Sequence, residues 1–130
     1  MGGFYVIGLD IDSTVCSHAY PAMGEDIGAV PWLRLAIEKY PSVRIMLNTM
    51  RSGPELEIAR LWLEEKGVPV WALNHNPNQD RWTTSPKAYA YLYIDDCALG
   101  TPLRSDGKGV DWDVMGPMLM ERLERDLSGT

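Results

Sequence analysis

The sequence predicts an α/β fold: a three-layer, Rossmann-like parallel sheet with helices on both faces, formed as a single domain over residues 1–130. Three observations carry this expectation. Short apolar runs alternate with stretches of helical period. The first and fourth runs end abruptly in charge, as buried parallel strands do. Composition is that of an ordinary globular chain, 45% hydrophobic and 23% charged, with no internal repeat or low-complexity segment.

Residues 4–10 form an almost uninterrupted apolar run and read as the first strand. A loop rich in Ser, Pro and Gly covers 13–28. The stretch 31–40 then places Leu33, Ile37 and Tyr40 on one helical face, with Pro31 in the first turn. A second strand, VRIMLN, spans 43–48. Ser52-Gly53-Pro54-Glu55 reads as a capping box opening a second helix. Leu56, Ile58, Ala59, Leu61, Trp62 and Leu63 supply its apolar face, and Gly67 is its stop signal. Residues 68–73 are a third strand, at an edge because of Pro69. Residues 74–87 are a long polar loop, and 91–94 a fourth strand. The tail from 113 to 127 is helical with Leu119, Leu123 and Leu127 in register, and Pro117 fits only in its first turn.

Acids outnumber bases 18 to 12, giving a net charge of −6, which disfavours a protein that coats nucleic acid. Cys16 and Cys97 are far apart, with no cluster at zinc-ligand spacing. The N-terminus carries no basic leader before Asp10, and no apolar run is long enough to span a bilayer. A cytoplasmic chain with reduced thiols and no membrane partner is the expectation.

In parallel α/β sheets, functional groups collect beyond the carboxyl ends of the strands. The residues at those positions form one chemical set. Asp10, Asp12, Ser13 and Thr14 follow the first strand, and Thr49 and Arg51 the second. Asp95 and Asp96 follow the fourth, with Lys87 shortly before it. Carboxylates gathered at one edge repel unless a cation sits among them. Oxygen ligands alone favour a hard ion, Mg²⁺, over zinc. A hydroxyl and two cationic side chains beside that ion make a receptor for a phosphoryl group. Each residue alone has a plainer reading as a turn former or surface charge; together they point to function.

The run Asp10-Ile11-Asp12-Ser13-Thr14-Val15 resembles the first signature of the haloacid dehalogenase (HAD) superfamily of phosphotransferases. Met46-Leu47-Asn48-Thr49 is similar to its second signature, and Tyr93-Ile94-Asp95-Asp96 to its fourth. The resemblance spans residues 4–96 and implies a Mg²⁺-dependent phosphomonoester hydrolase. It makes Asp10 the nucleophile, forming an aspartyl-phosphate, and Asp12 the general acid and base. Mg²⁺ would be held by Asp10, the Asp12 carbonyl, Asp95 and Asp96. Thr49 would hydrogen-bond the phosphoryl oxygens and Lys87 would pair with Asp10 and the phosphate, with Ser13, Thr14 and Arg51 at the substrate and backbone N–H groups of the Asp10–Ser13 turn completing the cradle. The third-signature cation is either Lys87 or Arg81. Lys87 lies only eight positions before Asp95, so the helix usual there must be a turn or absent.

The loops at 13–28 and 73–87 are too short for a cap domain, so the resemblance implies a capless member. Its open site would serve a bulky phosphate, a nucleotide or a polynucleotide end. His18 and His75 read as solvated loop residues, Cys16 and Cys97 as small packing residues and near neighbours, and Trp62 and Trp71 as core. Trp82 and Trp112 read as cover for the sheet edge, with a base-stacking platform as the alternative. The alternative functions are a phosphoacceptor module and a non-catalytic domain that binds phosphate or Mg²⁺. Receiver-type phosphoacceptors carry the acidic pair on the first strand and the target Asp on the third, the reverse of the order here.

Overall fold

The structure is a computed structural model that describes residues 3–128, so the domain read over 1–130 extends two residues beyond the described ones at each end. Four strands, β1 (Tyr5–Leu9), β2 (Val43–Leu47), β3 (Ala72–Leu73) and β4 (Leu92–Ile94), form one parallel sheet in the order β3-β2-β1-β4. Three helices accompany them: α1 (Ala29–Lys39), α2 (Gly53–Glu65) and α3 (Trp112–Leu127). The α/β, Rossmann-like architecture follows directly. No helix among the described residues is long and apolar enough to cross a membrane.

Period-two alternation sorts the strand side chains onto two faces. Tyr5, Ile7 and Leu9 align with Val43, Ile45 and Leu47 across the β1–β2 ladder. This face packs in one cluster with Leu33 and Ala36 of α1, Ala59 and Leu63 of α2, and Leu119 and Leu123 of α3. The opposite face carries Val6 and Met46 and is covered by Ala88 and Ala90. The expectation of helices on both faces is therefore corrected. All three α-helices share one cluster, and the second face is covered by the β3–β4 connection, whose only helical piece is a 3₁₀ turn at Pro77–Arg81. The crossover rule sends this connection to the other face, because β4 lies on the far side of β1 from β2 and β3. Proline, asparagine and serine in that segment prevent a longer helix.

Four local expectations also change. β3 pairs over two residues only, since Pro69 lacks an N–H and the Val70 N–H turns to the Glu64 carboxylate. Ser52 occupies the N-cap of α2, but its hydroxyl makes no capping bond, so the capping box is not formed. Ile58 and Leu61 of the expected apolar face are exposed, because α2 lies toward the β3 edge and buries only Ala59 and Leu63. Pro117 lies beyond the first turn of α3, whose N-cap is Asp111. Elsewhere the Asp26 carboxylate caps α1 by accepting from the N–H groups of Gly28, Ala29 and Val30.

Candidate functional site

β1 lies between β2, which follows it through α1, and β4, which the chain reaches by crossing back over the opposite face, so the crevice at its carboxyl end is a topological switch point. Asp10 follows β1 there and donates its N–H to the Ile94 carbonyl at 3.0 Å, which ties the nucleophile candidate to the end of β4. The Thr14 hydroxyl donates to Asp10 Oδ2 at 2.7 Å and accepts the Asp96 N–H at 2.9 Å. Asp96 Oδ1 lies 3.1 Å from the same hydroxyl oxygen. Thr14 thus buckles the β1 loop to the β4 loop. It is fully buried and hydrogen-bonded within the fold, so the expected contact with substrate is corrected to a structural one.

Burial pushes the Asp10 carboxyl up to about 7, and the nearby Asp96 and Asp95 push it the same way, against the Thr14 hydrogen bond. Asp95, Asp96 and Cys97 bring ligand atoms within 4.8 Å of one another. Asp96 and Asp95 also hold the Cys97 thiol above its ordinary value, so it stays protonated and is a poor metal ligand. What remains is carboxylate oxygen, which fits a hard divalent ion such as Mg²⁺ and would be relieved of its mutual repulsion by one.

A cavity of about 490 Å³ opens beside this cluster, and Thr49, Asn74, Lys87, Tyr93 and Asp95 line it. These residues come from the ends of β2, β3 and β4 and from the β3–β4 connection. The Thr49 hydroxyl accepts the Arg51 N–H at 3.1 Å, which leaves its proton to donate elsewhere. The Lys87 ammonium lies 5.5 Å from the Tyr93 ring centre and has no carboxylate partner among the described residues, so its expected pairing with Asp10 is corrected to a place over the Tyr93 ring. Arg81 ends the 3₁₀ turn and does not line the cavity. Tyr93 reaches this position because Gly8 lies beneath it; a Cβ there would stand 2.7 Å from the ring.

Arg51 departs most from expectation. It is 2% exposed, and all five of its N–H donors are engaged. Nε and Nη2 grip both oxygens of Asp12 at 2.9 and 2.8 Å, and the others reach the carbonyls of Pro21, Ala22 and Glu55. Arg51 has no donor left for a substrate phosphate; its role is corrected to orienting Asp12 and fastening the 20–22 loop. Ser13 sits in the left-handed region at φ 63°, and its N–H is bonded to the Cys16 carbonyl, so neither it nor the Asp10 N–H is available to a phosphate cradle.

Three residues went unrecognised in the polar run after β3. Asn74 accepts the Thr49 N–H at 2.8 Å and donates to the Arg51 carbonyl at 3.0 Å, shaping the loop that presents Thr49. Gln79 is buried and bonds to the Lys87 carbonyl and the Tyr89 N–H, so it fixes the backbone that carries Lys87. Asn76 donates to the Tyr89 carbonyl. The signal for Asn74 was its strand-end position, the same one that singles out Asp10, Thr49 and Asp95.

Of the other residues, His18 is exposed and His75 pairs with Asp80 at 3.0 Å. Cys16 is buried and Cys97 exposed, both as free thiols, so buried packing holds for Cys16 only. Trp112 is 2% exposed and donates Nε1–H to the Thr14 carbonyl at 2.7 Å, anchoring α3 beneath the site. Trp82 is exposed. Gly109 supports the same loop from the other side. Its φ is +116°, and an added Cβ would overlap the Ser13 carbonyl oxygen and stand 2.9 Å from Ile27 Cδ1. Gly109→Ala is expected to cost roughly 2–4 kcal/mol, measured as a shift of the urea midpoint at unchanged slope.

No protein-family profile matches the chain, and no curated protein matches it. A solved structure described as the conserved protein coded by locus from Bacteroides thetaiotaomicron is similar to it, with a TM-score of 0.72 and 30% identity. The alignment covers 92% of this chain and 93% of that one. The chain belongs to the family of that conserved protein.

Proposed function

We propose that this protein is a capless, HAD-type, Mg²⁺-dependent phosphomonoester hydrolase working through an aspartyl-phosphate on Asp10. One observation carries the reading. Thr49, Lys87 and Asp95, distant in sequence, line one cavity beside the Asp10–Thr14–Asp96 cluster at the switch point. That juxtaposition supplies a nucleophile, a hydroxyl donor, an unpaired cation and a carboxylate set at one place. The reading includes a cytoplasmic location, in which the two free thiols would stay reduced.

An Asp10 oxygen attacks phosphorus, and the bond from phosphorus to the leaving oxygen breaks as a protonated Asp12, turned out of the Arg51 fork, gives that oxygen its proton. Water then attacks the aspartyl-phosphate, Asp12 takes the water's proton, and phosphate leaves. Thr49 donates to a phosphoryl oxygen while Lys87 neutralises charge on another. Asp10, the Asp12 carbonyl, Asp95 and Asp96 would hold Mg²⁺, which would supply charge screening between the two anions. The purified chain should hydrolyse a generic aryl phosphate with Mg²⁺ and lose that activity in EDTA. A wide phosphomonoester panel without turnover of any member would overturn the reading.

A second reading, a binding module without turnover, has its own support in the Arg51 fork that occupies both oxygens of Asp12. It predicts Mg²⁺-dependent phosphate binding with no hydrolysis, and the same panel separates the two.

A further inference from the structure

A second groove, about 270 Å³, adjoins the first and shares Lys87 and Tyr93 with it. Its far wall is aromatic. Trp82 is 65% exposed, and its ring meets Tyr89 edge-on at 5.9 Å between centres. Tyr89 meets Tyr91 in the same manner at 5.7 Å, and both are exposed. The fold gains little from leaving such rings in water. Nor is the segment loose: the buried Gln79 side chain bonds to the Ser85 and Lys87 carbonyls and the Tyr89 N–H, holding the groove open as a built shape.

The groove also has a polar edge. Thr83 and Ser85 line it, and the hydroxyl of each accepts one backbone N–H, from Ser85 and Lys87 respectively. Their protons and second lone pairs remain for a ligand. An aromatic wall to stack on, hydroxyls to meet ring heteroatoms and a wall shared with a phosphate pocket together describe one kind of ligand. It is a flat heterocycle joined to a phosphomonoester. Lys87 is the one cationic side chain lining the two cavities, enough for a phosphomonoester and short of the row of cations that a polynucleotide backbone draws on.

We infer that the Trp82–Tyr89 groove is a base-binding subsite and that the substrate class is a nucleoside monophosphate, an assignment that rests on the phosphatase reading of the adjoining cavity. The base lies against Trp82 and Tyr89, and Lys87 stands between base and phosphate. Stacking of a base on an aromatic side chain is worth about ten- to a hundredfold in affinity.

The test compares kcat/KM for AMP with that for ribose 5-phosphate, which lacks the base, using the full chain with Mg²⁺. The wild type should prefer AMP by about ten- to a hundredfold. Trp82→Ala should erase most of that ratio, and Trp82→Phe should restore much of it. Equal efficiency on the two substrates, or a ratio that survives Trp82→Ala, overturns the subsite while leaving the phosphatase reading intact. A 5′-phosphorylated oligonucleotide preferred tenfold over AMP overturns the assignment to mononucleotides. If no phosphomonoester is turned over, the phosphatase reading fails, and calorimetric binding of AMP against ribose 5-phosphate decides the subsite alone. Tighter AMP binding that Trp82→Ala removes supports it; the absence of such binding overturns it.

Discussion

Asp10→Asn should abolish hydrolysis and at the same time stabilise the metal-free fold. The kinetic effect follows from removing the proposed nucleophile: kcat is expected to fall at least about a thousandfold, because an amide oxygen does not form the acyl-phosphate. The stability effect follows from burial. With a carboxyl raised to about 7, the folded state binds a proton that the unfolded chain has already released above its ordinary carboxylate range. The contribution of Asp10 to stability is therefore fullest below about pH 4. It declines as pH rises to about 7 and stays at its lowest above that. Asparagine keeps the Thr14 hydrogen bond through its carbonyl oxygen and carries no charge to bury. Because Asp10 is partly exposed, the gain above pH 7 is on the order of 2 kcal/mol rather than the full shift. Urea unfolding at pH 5 and pH 8 reads it directly, and the variant's advantage should be larger at pH 8. Millimolar Mg²⁺ should raise the wild-type melting temperature at pH 8 and raise that of the variant less. A variant that retains wild-type turnover would remove Asp10 from the chemistry.

The acidic edge was legible in the sequence because a parallel strand is hydrophobic along its length and its end is announced by the first charge. Asp10 and Asp95 were found by that rule, which needs no tertiary information. The rule places a residue but does not aim its side chain. Thr14 and Arg51 sit where substrate ligands would sit, yet both turn inward, because each answers a demand that sequence spacing does not display. Thr14 links two loops that are 82 positions apart. Arg51 satisfies carbonyls in the 20–22 loop and in the first turn of α2. The missing helical layer has the same origin. Whether residues 74–91 cover the second face as coil depends on the small side chains Ala88 and Ala90 packing on Val6 and Met46, a match visible only once β4 has taken its place beside β1. Charge was legible and partly misleading. Four of the 18 acids are Asp10, Asp12, Asp95 and Asp96, so much of the −6 belongs to one corner of the molecule rather than to its whole surface.

Arg51→Ala should be the most damaging single substitution for the fold. It leaves the Asp12 carboxylate without its partner and removes the donors to the Pro21 and Ala22 carbonyls, while the Glu55 carbonyl keeps its bond within α2. Breaking a buried ion pair from one side costs about 3–5 kcal/mol, and the lower end applies here because the surviving Asp12 carboxylate is 21% exposed and keeps part of its hydration. For a domain of this size that is a fall of about 10 °C or more in melting temperature. Arg51→Lys should recover only a minor part, because a single ammonium cannot span two carboxylate oxygens and three carbonyls in one plane. Adding Asp12→Asn to Arg51→Ala should return some of the loss, as it removes the stranded charge, and the double-mutant cycle isolates that part from the cost of the carbonyls. Loosening should concentrate in the 17–24 loop, where limited proteolysis of the Arg51→Lys protein is expected to cut first. If Arg51→Ala instead unfolds at the wild-type urea concentration, the fork contributes nothing to stability. Arg51 would then be free to turn outward and meet a substrate phosphate after all.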